Sequence, residues 1–233
     1  MNHSIKTFLG SLLLLSVLSA CGGGGGGTDT DDNGNTGTPT DPGTDFALIP
    51  SDYLTDYQAS IGISGEDNKG NTYSGIFTER TGGTVTFLGE TATEVLTNVT
   101  FQGSQGAYAI ADSTSYFSAD RRLLGQTSDG GIETVSATGV TALPVTARIG
   151  DSGQLGVYTD NQGDEVTTTW KLDDGYDGRA WVVFESKNFD GLGDVESETV
   201  FSFLVQPDGT RLKMKMESYN RTVDLRISMG GDY

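Results

Sequence analysis

The sequence predicts an all-β protein, an antiparallel meander that closes into a barrel or folds into a sandwich. Side chains alternate with a period of two, turn-forming residues recur at short intervals, and no segment beyond the first twenty residues carries a convincing helical period. In the run from Val166 to Leu172, the residues Val166, Thr168, Trp170 and Leu172 fall on one face, and Thr167, Thr169 and Lys171 on the other. One face is buried and one is wet. The same alternation marks Leu212 to Glu217 and Leu225 to Met229.

In chain order, strands are expected near 59–64, 71–78, 84–88, 93–102, 107–111, 114–119 and 132–138. Six more follow, near 154–159, 164–172, 179–188, 196–206, 210–218 and 222–229. Residues Ser51 to Gln58 read as one short turn. The breaks between strands are Glu66-Asp67-Asn68-Lys69-Gly70, Gly82-Gly83, Asp129-Gly130-Gly131, Asp160-Asn161-Gln162-Gly163 and Pro207-Asp208-Gly209. These residues favour tight turns, and strands joined by tight turns are antiparallel neighbours. Strands spaced 8 to 12 residues apart suit a barrel or sandwich. Strand Ala180 to Phe184 is apolar on both faces, which places Trp181 in a strand covered on both sides.

The first twenty residues are a secretion leader: basic Lys6, an apolar run from Phe8 to Leu18, then small residues. The run is too short to span a bilayer permanently. It ends in Leu18-Ser19-Ala20-Cys21, and Cys21 is the single cysteine of the chain. This ending resembles the lipobox of bacterial lipoproteins. The resemblance implies cleavage before Cys21, acylation of its sulfur and amine, and a bilayer partner reached through the acyl chains. With Gly22 rather than Asp next, the resemblance to enterobacterial lipoproteins implies delivery to the outer membrane. Acyl chains contribute about 0.8 kcal/mol per buried methylene, so two or three hold a domain firmly.

Residues 21–45 form the expected tether, beginning with six glycines, Gly22 to Gly27, followed by Thr, Asp, Asn, Gly and Pro. Such a composition cannot bury enough apolar surface to offset ordering, and it spans on the order of 25–30 Å. Its aspartates read as a solvated spacer rather than a calcium array. Residues 46–233 are the expected single domain, about 185 residues long and able to bury a sizeable core.

Composition removes whole classes of chemistry. The chain carries a formal charge of −18, and loss of the leader with Lys6 leaves 13 Lys and Arg against 32 Asp and Glu, a charge of −19. An acidic surface repels phosphates, so nucleic acid is not an expected partner. His3 is the only histidine and lies in the leader. Ser-His-Asp and Cys-His catalysis, and zinc sites built on Cys or His, are therefore excluded from the mature chain. Carboxylate pairs are the catalytic chemistry that survives.

Between Asp151 and Thr199 the acids cluster, and Asp190, Asp194 and Glu196 are the candidate metal ligands. The calcium-loop template needs alternating oxygen ligands and a closing Glu. Starting at Asn188 it meets Leu192 at a ligand position and Thr199 at the twelfth, and starting at Ser186 it ends on Ser197. Asp-Gly hairpin turns account for the pattern without metal. Trp170, Trp181, Tyr158 and Tyr176 are the aromatics to weigh as a sugar-stacking surface, with Trp170 assigned to the core by its face. Arg211, Lys213, Lys215, Arg221 and Arg226 make the last two strands locally basic, and cross-strand pairing with acids is the expected reason.

The stretch Leu143 to Gly153, with Tyr158, Trp170 and the last hairpins, resembles uncharacterised proteobacterial lipoproteins carrying a Gly-rich tether, a resemblance that implies no activity. The glycine run after the cysteine and the acidic meander are similar, more loosely, to surface lipoproteins of the transferrin-binding and factor-H-binding type, which implies a barrel that binds a partner protein. The function expected is that of a membrane-anchored envelope lipoprotein with a non-catalytic binding or structural domain, no cofactor, and a protein or envelope polymer as partner. The alternatives are a carboxylate-based polysaccharide-active enzyme and a lipocalin-like carrier of an apolar ligand.

Overall fold

A computed structural model describes residues 37–104, 108–128, 132–161, 163–190 and 192–233. Its strands are β1 (Phe46–Ala47), β2 (Gln58–Asp67), β3 (Thr72–Phe87), β4 (Glu90–Gly103), β5 (Tyr108–Ser118), β6 (Leu123–Ser128) and β7 (Ile132–Thr138). The second half holds β8 (Thr146–Ala147), β9 (Ser152–Asp160), β10 (Glu165–Tyr176), β11 (Arg179–Phe189), β12 (Val195–Val205), β13 (Arg211–Asn220) and β14 (Leu225–Asp232). Among the described residues, twelve of these form a closed antiparallel barrel, and β1 pairs with β8 as a separate two-stranded piece.

The barrel runs as a meander from β2 to β7, skips β8, continues from β9 to β14, and closes where Ile227 to Gly230 pair with Asp67 to Ser64. Among the described residues, closure leaves the twelve-stranded barrel sheet itself without a free edge strand. Strand period places Trp170, Phe184, Phe201 and Met216 side by side on the inner face of β10 to β13. Each is buried. Phe77 of β3 meets Phe201 across the lumen, ring centroids 6.4 Å apart. The outer positions of the same strands carry Thr167, Thr169 and Lys171, Glu185 and Lys187, Glu198 and Ser202, and Lys213, Lys215 and Glu217.

The strands depart from expectation at identifiable places. Gly82-Gly83 is a bulge within the sixteen-residue β3, where the pairing with β4 shifts between Thr81 and Thr84, rather than a turn between two strands. The segments expected at 107–111 and 114–119 are one strand, β5. Strand β6 has no period-two signal, because Leu123 and Leu124 are adjacent across a register shift opposite Tyr116 and Phe117. Residues 38–45, assigned by composition to the tether, are held on the barrel. The Thr38 amide donates to Asp177 Oδ1 at 2.9 Å, the Asp177 amide returns a bond to the Thr38 carbonyl, and Thr40 is buried with its hydroxyl on the Arg179 carbonyl.

Candidate functional sites at the two ends of the barrel

One end of the lumen is filled by the chain that enters it. Residues 46–57 cross that end: β1 pairs with β8, the Ala47 amide donates to the Pro207 carbonyl, and a tight turn at Pro50 to Asp56 follows. Phe46, Leu48, Ile49 and Tyr53 enter the core as a plug. The β12–β13 turn beneath it must be glycine at Gly209, where φ is +86° and a Cβ would lie 2.7 Å from the Ile49 carbonyl oxygen.

Beneath the plug lies an ion pair. Arg211 at the start of β13 and Glu79 of β3 meet through Nη1 and Oε2, with side chains 2% and 1% exposed. The other Glu79 oxygen accepts the Tyr53 hydroxyl at 2.9 Å, and the guanidinium lies 3.8 Å from the Phe203 ring centroid, flanked by Tyr53 and Tyr57. Burial pulls the Arg211 guanidinium down, but Glu79 together with Tyr233, Tyr57 and Tyr53 overcomes it and holds the group well above its ordinary value. Burial and the same carboxylate push the Tyr53 phenol well up. Arg211 also forms part of the wall of a cleft of about 380 Å³ with Tyr57, Gln58 and Tyr233. Arg211 is therefore a correction to the surface basic group read from the sequence: it points inward and fastens the plug.

The opposite end carries the acidic turns. Asp190 Oδ1 accepts the amides of Leu192 at 2.8 Å and Asp194 at 3.0 Å, which makes it the staple of the β11–β12 hairpin. Asp194 faces Arg221 at 3.7 Å, and the Glu196 carbonyl accepts the Arg221 amide. Among the described residues no group of three acids that could hold a metal is found, and the contacts seen at the candidate ligands are the Asp190 turn, the Asp194–Arg221 pair and the Glu196 backbone carbonyl. Nearby, Asp67 accepts the Lys69 and Asn71 amides, the Asn71 side-chain amide and the Tyr73 hydroxyl at 2.7 Å. Burial would raise this carboxyl, and these hydrogen bonds overcome that to hold it at about 2.

The outer wall holds one unusual acid. Glu185 of β11 has a side chain only 12% exposed, with Lys187 at 3.2 Å, and the same ammonium reaches Glu198 of β12 at 4.0 Å. Burial first, then the neighbouring Glu198, pushes its carboxyl to about 7. The other expected surface groups are dispersed. Trp170 and Tyr158 are buried on the inner face, Trp181 lies outside under the Lys215 ammonium at 4.9 Å, and Tyr176 forms part of the β10–β11 turn at φ 58°. Lys213 pairs with Asp232, and Arg226 stacks on Tyr219. Sequence reasoning missed Glu79 and Glu185 because each sits among ordinary strand residues, and only the barrel's closure brings Glu79 to Arg211.

Cys21 and the lipobox residues Leu18, Ser19 and Ala20 lie outside the described residues. No protein-family model matches the chain, and no curated protein matches it. Among solved structures it is similar to a β-barrel-like protein of a domain of unknown function from Brucella abortus, at 11% identity over 77% of this chain and 98% of that one, with a TM-score of 0.37. It is also similar to a candidate lipoprotein from Parabacteroides distasonis and to a candidate exported protein with a YmcC-like fold from Bacteroides fragilis. Each of these shares 11% identity over 80% of this chain and 97% of the other, with a TM-score of 0.33.

Proposed function

We propose that this protein is a lipid-anchored envelope lipoprotein, held at the outer membrane through acylated Cys21, whose barrel is a non-catalytic binding or structural module. The observation that carries the reading is the chemistry of the barrel wall. A barrel that spans lipid turns apolar side chains outward and polar ones inward. Here Trp170, Phe184, Phe201 and Met216 face inward while Lys171, Glu185, Lys187, Lys213, Lys215 and Glu217 face outward. With the plug across one end, this supports a barrel that stands in water and needs a separate anchor, which the leader and Cys21 supply. Residues 38–45 reach the barrel at the plug end, so the tether meets the module there. The partner is an envelope polymer or another protein and not nucleic acid, given the acidic surface.

An apolar-ligand carrier fits less well, because the apolar half of the lumen is occupied by the plug and by core aromatics. The enzyme reading has Glu185 and Glu198 in its favour, a carboxyl kept protonated near neutrality beside a second acid. Lys187 stands between the two carboxyls on an outward sheet face, 3.2 Å from Glu185 and 4.0 Å from Glu198, which leaves no space between them for a sugar and a water. The test is membrane partition of the wild type and Cys21→Ala. Wild type in the outer-membrane fraction and the variant released in soluble form support the reading, and membrane retention of the variant overturns it.

A further inference from the structure

The barrel closes through a short seam. Strand β14 pairs with β2 only from Ile227↔Asp67 to Gly230↔Ser64, so among the described residues Gln58 to Ile63, the first part of β2, pair with β3 alone. Beyond Gly230 the last strand stays with β13 through Met214↔Gly231 and Lys213↔Asp232. Gly231 still lies against Gly62, where a Cβ would be 2.1 Å from the Gly62 carbonyl oxygen, and past that point β2 has an open edge. The direction of its backbone groups follows from Tyr57. The Thr81 amide donates to the Tyr57 carbonyl, so the backbone groups of Tyr57, Ala59 and Ile61 turn to β3 and those of Gln58 and Ser60 turn the other way. Gln58 and Ser60 are exposed, and they line the cleft of about 380 Å³ that Thr210, Arg211 and Tyr233 also line.

We propose that this open edge of β2, with its cleft, takes an extended basic segment of a partner protein as an added strand. The inference rests on the reading of the barrel as a binding module and names the class of partner and the mode of contact. Gln58 and Ser60 each present an N–H donor and a C=O acceptor along one line, a pattern that an incoming strand satisfies at strand spacing. Tyr57 and Tyr233 offer ring surface to a side chain of that strand, and both hydroxyls accept from Arg211 Nη1, at 3.5 and 3.3 Å, which fixes the rings. The Arg211 charge is already answered by Glu79, so the cleft does not call for an anion. Charge selects the occupant. Asp52 in the cleft wall and Asp56 beside Tyr57 are exposed, make no ion pair among the described residues, and outnumber Arg80, which faces Gln58 across the β2–β3 ladder. A second copy of the chain brings a further charge of −18 to the edge, and the tether brings aspartates with no Lys or Arg. Both are repelled where a segment bearing Lys or Arg is attracted.

The test uses the full chain purified in detergent and three dye-labelled, capped heptapeptides: one alternating lysine with valine, one with glutamate in place of lysine, and a backbone N-methylated form of the first, which cannot pair as a strand. Affinity is read by fluorescence anisotropy and the site by amide hydrogen exchange. The expected result is saturable binding of the lysine peptide with slowed exchange at Gln58 and Ser60, and affinity lower by about tenfold for each of the other two peptides. Ser60→Pro removes an N–H from the open edge and none from the β3 ladder, so it should keep a Tm near that of wild type and weaken the lysine peptide by about tenfold. Asp52→Lys, which leaves the backbone untouched, should also weaken the lysine peptide and narrow its advantage over the glutamate peptide. No saturable binding of the lysine peptide, equal binding of either control peptide, or full affinity in either folded variant overturns the proposal. Concentration-dependent protection of Gln58 and Ser60 without peptide makes a second copy the occupant, and protection by a chitin oligosaccharide in place of peptide assigns the edge to an envelope polymer; each overturns it. Neither substitution touches Cys21, so membrane partition reads the anchor separately, and a partner bound elsewhere on the barrel would keep the binding-module reading while this site failed.

Discussion

Arg211 and Glu79 form an ion pair inside the barrel, between the first residue of β13 and a residue of β3 that the meander separates by β14 and β2. Breaking such a pair strands a charge in a low-dielectric interior, which costs about 3–5 kcal/mol. Glu79→Gln and Arg211→Met should therefore each lower stability by about that amount in urea titrations at neutral pH. The double variant Glu79→Leu, Arg211→Met should recover a large part of the loss, since it leaves no uncompensated charge.

Phe77 and Phe201 join opposite walls of the lumen, and both are buried. Phe77→Ala should cost about 3–5 kcal/mol, the range for an aromatic removed from a packed core. Phe77→Leu should cost less, because it keeps most of the volume. The slope of the urea titration checks that the transition remains two-state.

Asp67 sets an acid limit. Its carboxyl is held at about 2 in the folded barrel, below its ordinary value of 3.8. The stability it contributes is fully present above that ordinary value and is lost as pH falls toward 2. Asp67→Asn should lower the Tm at pH 7, and the gap between wild type and variant should narrow as pH drops from about 4 to about 2.

Glu185 acts with the opposite sign. The folded barrel keeps its carboxyl protonated up to about 7, whereas the unfolded chain releases that proton near 4.5. The folded state binds more protons across that window, so stability falls as pH rises from about 4.5 to about 7. Glu185→Gln should remove this component, and the difference between the two Tm profiles from pH 4 to pH 8 measures it.

How far the sequence carried the fold is seen best strand by strand. Strands β10 to β14 were legible because each has one apolar and one polar face, and alternation reports a half-buried strand directly. Strand β6 was not, since its two leucines are adjacent at a register shift. Gly82-Gly83 has the composition of a turn and serves as a bulge, because β3 and β4 continue past it as one long hairpin from Thr81↔Val95 to Phe87↔Glu90. Arg211 follows a Pro-Asp-Gly turn and reads as a surface cation. Its burial depends on Glu79, 132 residues earlier, a pairing that no local pattern encodes. The acidic turn at Asp190 was legible as a hairpin signal, whereas the raised Glu185 carboxyl depends on its burial in the closed barrel and on Glu198 of the neighbouring strand.

The anchored barrel is tested most directly by the intact mass of the protein isolated from membranes. The account predicts loss of residues 1–20 and a mass increment on Cys21 equal to a diacylglyceryl group plus an amide-linked acyl chain, with Cys21→Ala carrying no such increment. A mature chain that begins at another residue, or an unmodified Cys21 in membrane-derived protein, would contradict it.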